Sequence, residues 1–109
     1  QFYFQRCQMT AKQKKSKHQV VVFVTEWCPH CKRMRDETWV DDDVQKAVSF
    51  YHNGKPAFVD LSTPQNRPLV DQFKVGRYPT VVIMNEDREI KKQANNMSPE
   101  DLVKFLEDF

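Results

Sequence analysis

Five consecutive apolar residues, Val20, Val21, Val22, Phe23 and Val24, constrain this chain more than any other stretch of it. A strand with one face in water alternates apolar and polar residues, whereas a strand without alternation has both faces covered. The run therefore predicts a central strand in a sheet with a layer on each side. It is far too short to cross a bilayer, which takes roughly 20 apolar residues, so no membrane span is expected. At 109 residues the chain fits one domain able to bury a core without metal or disulfide staples. Its 39% of hydrophobic residues suit a soluble globular protein and not a disordered one. Seventeen basic against fifteen acidic side chains leave +2, too weak a bias for the strongly basic face of a nucleic-acid binder.

Residues 1–18 read as an N-terminal extension: 1–5 alternate and suit an edge strand, and the lysine-rich 12–17 suit a solvated helix end or tail. Residues 19–109 read as the domain. The central strand runs straight into Trp27-Cys28-Pro29-His30-Cys31, with Pro29 placed for a first helical turn, where its missing N–H costs nothing. Asp41, Asp42 and Asp43 cap a second helix whose Val44, Ala47, Val48 and Tyr51 share one face, with Asn53-Gly54 expected to close it. A short strand at 57–61, a brief helix at 69–73 and a β-branched strand at 80–84 follow. After a turn at 85–87, residues 88–92 are expected to pair back as an edge strand. Ser98-Pro99-Glu100-Asp101 combines a hydroxyl cap, a proline at the first position and acids in the first turn. The helix it starts is expected to turn Leu102, Val103, Leu106 and Phe109 to the core. The order β-α-α-β-α-β-β-α predicts an α/β fold, a mixed central sheet with helices on both faces.

Three cysteines are too few for a disulfide scaffold; Cys28 and Cys31 form a C-x-x-C pair and Cys7 stands alone. Two thiols one helical turn apart can close and open a small disulfide with little backbone movement. Backbone N–H groups at a helix start favour the thiolate of the first, which makes Cys28 the attacking sulfur and Cys31 the resolving one. Lys32, Arg33 and Arg35 add positive charge there, and Lys32 with Asp36 and Arg33 with Glu37 are spaced as i,i+4 pairs. The same pair could instead be half of a zinc site or an inert packing pair. Zinc would need two more spaced ligands, and Cys7, His18, His30 and His52 form no second pair. No metal and no cofactor is expected. A C-x-x-C between a strand and a helix is the context of redox chemistry.

At the end of the buried strand, Glu26-Trp27-Cys28-Pro29-His30-Cys31-Lys32 resembles the active-site turn of the thioredoxin superfamily, and Arg77-Tyr78-Pro79-Thr80 resembles the loop whose proline is cis in that family. The stretch after Cys31 is most similar to bacterial thioredoxin-like proteins related to the carboxy-terminal domain of DsbD. The resemblance implies a thioredoxin fold and thiol-disulfide exchange with protein thiols or disulfides and a redox partner protein, by a monomer. It implies that Cys28, Cys31 and His30 do the chemistry and that Trp27, Pro29, Tyr78 and Pro79 meet the substrate, which pairs as an added strand along Tyr78. Trp39 is expected in the core.

The chain departs from the family in two places. Val22 stands six residues before Cys28, where thioredoxins, protein disulfide isomerases and DsbA place a buried acid, so the proton of Cys31 must go to water or another carboxylate. The inner dipeptide is Pro-His, as in the oxidase DsbA. A histidine beside the first thiolate stabilises the reduced form, which predicts a potential more oxidising than that of thioredoxin. Pro-His and the Gln1 start lean to a periplasmic or other extracytoplasmic location, with the cytoplasm left open. The direction of electron flow is open as well. The competing reading is a metal-binding or docking module of the same fold.

Overall fold

The computed structural model describes residues 15–109. Four strands, β1 (Gln19–Val24), β2 (Ala57–Asp60), β3 (Thr80–Met84) and β4 (Ile90–Ala94), form one mixed sheet in the order β2-β1-β3-β4. Strand β1 runs parallel to β2 and antiparallel to β3, and β4 returns antiparallel beside β3. The apolar run is thus a central strand.

Side chains alternate across the sheet, and each face has its own helices. Val20, Val22, Val81 and Ile83 point to one side, where they meet Met34, Trp39, Val44, Ala47, Val48, Tyr51, Leu102, Phe105 and Leu106. These come from α1 (Pro29–Arg33), the π-helical turn Met34–Thr38 that continues it and Trp39 at its end, from α2 (Asp42–Val48) and the segment after it, and from α4 (Pro99–Glu107). Val21, Phe23, Val82 and Met84 point to the other side, where α3 (Pro68–Gln72) and its flanks bring Leu69, Val70, Phe73 and Val75. A strand with helices on both faces has no polar face to show, which is why Val20 to Val24 do not alternate.

The caps act as the sequence indicates. Asp41 Oδ1 accepts from the backbone of Asp43 and Val44 at the start of α2, and Ser98 Oγ accepts from Asp101 at the start of α4. The bounds of α2 and β4 and the buried face of α4 differ from expectation. Helix α2 ends at Val48 and not at Asn53-Gly54, because the Ser49 hydroxyl bonds back to Lys46 O at 2.5 Å; Asn53 and Gly54, at φ 66° and 68°, close a separate short turn. Strand β4 begins at Ile90, two residues later than expected: Asn85 Oδ1 accepts from Asp87 and Glu89, Arg88 takes φ 65°, and the turn thereby lengthens. On α4, Phe105 joins Leu102 and Leu106 in the core while Val103 and Phe109 are only half-buried. The segment 1–5, expected as an edge strand, and Cys7 lie outside the described residues.

Candidate active site

Cys28 is the N-cap of α1, held extended at the end of the loop that leaves β1, and Pro29 occupies the first helical position. The extended backbone turns the Cys28 side chain over the first turn of the helix. Its Sγ accepts the backbone N–H of Cys31 at 3.2 Å and donates to Tyr78 O at 3.5 Å. Both thiols are free; Cys28 is half-buried, while Cys31 keeps 9% of its surface exposed. Burial, and next the hydrogen-bonded Cys28 side chain, push the Cys31 thiol up to about 12. The two sulfurs are therefore unequal: one faces outward and the other sits behind it, protonated at neutral pH.

Two clefts flank this turn, and Thr25 and Trp27 form the wall between them. One, of about 580 Å³, is lined by Cys28, Pro29, Cys31, Glu26, Lys32, Arg35, Phe58 and Asp60. The other, of about 640 Å³, is lined by Tyr78, Leu61, Ser62, Arg67, Val70 and Asp71 among others. Trp27 projects from the wall with 70% of its surface exposed. The Tyr78-Pro79 bond is cis; Tyr78 is half-buried opposite Cys28, and Pro79 is buried behind it.

The structure thus brings Trp27, Cys28, Pro29, Cys31, Tyr78 and Pro79 to one end of the sheet. His30 stands apart from them: it is exposed and lines neither cleft. Arg33 pairs with Glu37 at 3.8 Å as spaced, whereas Asp36 is taken by Arg35 at 3.6 Å in place of Lys32. Val22 is 1% exposed in the core, so the cleft beside Cys31 draws its carboxylates from Glu26 and Asp60 instead. The Ser62 hydroxyl and N–H hold the Asp60 carboxyl below the usual carboxylate range.

Sequence reasoning missed Phe58, Asp60 and Asn95. Phe58 and Asp60 belong to a strand legible only as apolar, although Asp60 followed by Ser62 and Thr63 is the pattern of a side-chain turn that ends a strand. Asn95 has no local signal, since its partners Thr80 and Pro79 lie fifteen and sixteen residues back, at the start of another strand and just before it. Among the described residues no group of three or more His, Cys, Asp or Glu side chains is placed to hold a metal ion. No helix among them is long and apolar enough to cross a membrane.

A family model described as a thioredoxin-like domain matches residues 5–109. Protein disulfide isomerase-like 1-2 of Oryza sativa subsp. japonica is 32% identical over 92 residues, which are 80% of this chain and 17% of that protein. A protein disulfide-isomerase of Datisca glomerata is 31% identical over 84 residues, 72% of this chain and 15% of that one. The chain spans about a sixth of the length of these relatives. A thioredoxin from Thermus thermophilus superposes with a TM-score of 0.73 at 21% identity, covering 92% of this chain and 78% of the other. The reduced DsbD C-terminal domain of Neisseria meningitidis superposes at 0.68 with 19% identity, covering 92% and 87%. At these identities the likeness to solved structures is one of fold.

Proposed function

Because the chain belongs to the thioredoxin-like domain family, we propose that it exchanges disulfides with other proteins, with Cys28 as the attacking sulfur and Cys31 as the resolving one. The observation that carries this reading is the inequality of the two thiols. Cys28 Sγ lies at the helix mouth, 3.2 Å from one N–H and 3.5 Å from the Tyr78 carbonyl, with Cys31 buried behind it.

The Cys28 thiolate attacks one sulfur of a substrate cystine, forms a mixed disulfide and expels the other substrate sulfur as a thiolate. Cys31 then gives up its proton and attacks Cys28 Sγ. The Cys28–Cys31 disulfide forms, the mixed disulfide breaks, and the substrate leaves with both cysteines reduced. Two electrons pass to the substrate; run backwards, the same steps oxidise a substrate dithiol. Trp27 and Pro29 supply apolar contact, and the backbone at Tyr78 accepts an extended substrate segment, with Pro79 fixing the loop behind it. We assign the exchange unit to residues 19–109, acting as a monomer, with 1–18 as an extension.

His30, two residues after Cys28 in sequence, favours the reduced state, so the potential is more oxidising than that of thioredoxin, above about −270 mV in a glutathione buffer. Such a potential suits an oxidising compartment such as the periplasm. Insulin reduction and refolding of reduced ribonuclease, run on the wild type and Cys28→Ser, test the function. Turnover that disappears in the variant is the expected result. A wild type without turnover that binds a metal ion tightly and stoichiometrically would overturn it in favour of a metal-binding module, and a potential at or below about −270 mV would remove the oxidising assignment.

A further inference from the structure

The loop that faces Cys28 is held by side chains. Between Val75, whose N–H bonds to Val70 O, and the ladder of β3, the described residues make no loop hydrogen bond from backbone to backbone. Residues 76–79 nevertheless carry the Tyr78 carbonyl to 3.5 Å from Cys28 Sγ. Two side chains make the connection. Thr80, 2% exposed, donates its hydroxyl to Arg77 O and so closes the loop upon itself. Asn95 donates Nδ2–H to Thr80 Oγ1 at 3.2 Å and to Pro79 O at 3.4 Å.

The donor count closes without conflict. A carboxamide has two N–H donors, one for each acceptor, and the Thr80 hydroxyl donates its single hydrogen to Arg77 while accepting from Asn95. The register places the amide there: Ala94, the last residue of β4, pairs with Val81, so Asn95 comes abreast of Thr80.

We infer that Asn95 is a positioning residue for disulfide exchange, which clamps the Tyr78-Pro79 loop through Pro79 O and Thr80 Oγ1 so that the Tyr78 backbone stays presented beside Cys28. The clamp rests on the exchange function proposed above and deepens it. Asn95 touches neither sulfur. Its work is done on substrate binding: a loop that wanders must be ordered each time a substrate strand pairs with it, and that cost appears in KM.

The test takes Asn95→Ala, which removes both donors, and Asn95→Asp, which keeps the shape and replaces the donors by acceptors. Backbone nitrogen-15 order parameters at Arg77 and Tyr78 are expected to fall from roughly 0.85 to below about 0.6 in both variants, with those of β1 and β3 unchanged. For an extended peptide containing a cystine, KM is expected to rise roughly five- to tenfold. Over the same series kcat and the rate of Cys28 alkylation by iodoacetamide stay within a factor of two of wild type. Thr80→Val combined with Asn95→Ala is expected to add little to either single change, since both act on one clamp.

Unchanged order parameters at Arg77 and Tyr78 overturn the clamp. Lowered order parameters with KM and kcat falling together, or with neither moving, overturn the positioning role and leave only a structural one. A wild type that turns over no cystine peptide refutes the exchange function itself, and the order parameters still decide whether the clamp exists.

Discussion

Cys31 sits where a thiolate is costly. Burial first and the Cys28 contact second push it up to about 12, so at pH 7 it is held as the thiol. Iodoacetamide at that pH is therefore expected to label Cys28 and spare Cys31. Peptide mapping by mass spectrometry checks this, and equal labelling of the two would contradict the burial argument. The same shift links stability to pH. A folded value raised above the ordinary 9.0 means that from about pH 9 to about 12 the unfolded chain sheds this proton while the folded chain keeps it. Stability from this thiol is thus complete below pH 9 and drains away as pH rises through that window. Tyr51, also raised by burial, pulls in the same direction. The comparison with Cys31→Ser isolates the cysteine: urea titrations of the reduced proteins should show a shallower alkaline decline in the variant, and parallel declines would refute the assignment.

At the scale of elements, the site depends on how α1 is continued and how α2 is docked. Trp39 N–H donates to Met34 O, five residues back, at 2.8 Å. This wider turn brings the indole into the core, where Phe58 meets it edge-on at 5.7 Å between ring centres. Across the same turn Arg33 keeps its pair with Glu37, while Asp36 pairs with its neighbour Arg35 and not with Lys32. Next in the chain, Tyr51 ties the segment after α2 to α4, its hydroxyl donating to Leu106 O at 2.5 Å. Tyr51→Phe keeps the ring packing and strands that carbonyl, so urea unfolding should lose about 1 to 3 kcal/mol with an unchanged m-value; a loss below a few tenths would mean that the carbonyl finds another partner.

These elements also show what could be read in advance. Covering both faces of β1 writes itself into five apolar residues, and the caps at Asp41 and Ser98 are local chemistry, so sheet, helices and the Cys28 turn were legible. The π-helical turn was not, because periodicity assumes 3.6 residues per turn throughout. Nor was Asn95, whose meaning exists only once β4 lies beside β3.

Viewed whole, the molecule gathers its site from one end of the sheet, and every strand contributes there. Val24 pairs with Asp60 where β1 and β2 finish, Thr80 pairs with Phe23 where β3 begins, and Ala94 pairs with Val81 just before Asn95. A change of oxidation state at Cys28 is therefore felt by contacts that also hold the sheet together. Potential and stability must then move as one: whatever favours the reduced native state makes the disulfide more oxidising, by 30 mV for each 1.4 kcal/mol. His30 is the group that separates the oxidising assignment from a bystander, and its exposure limits what it can do. Screened by water, a positive charge there should raise the potential by roughly 5 to 20 mV, a small part of the roughly 150 mV between thioredoxin and DsbA. His30→Ala is accordingly expected to lower the potential by that amount and to narrow the stability of the reduced form relative to the oxidised form by the matching free energy. Glutathione equilibration and paired urea titrations of the two states measure the two sides independently. A potential that does not move leaves His30 out of the chemistry, and a potential that moves while the stability gap stays fixed means that the unfolded chain, and not the folded site, responds to the substitution.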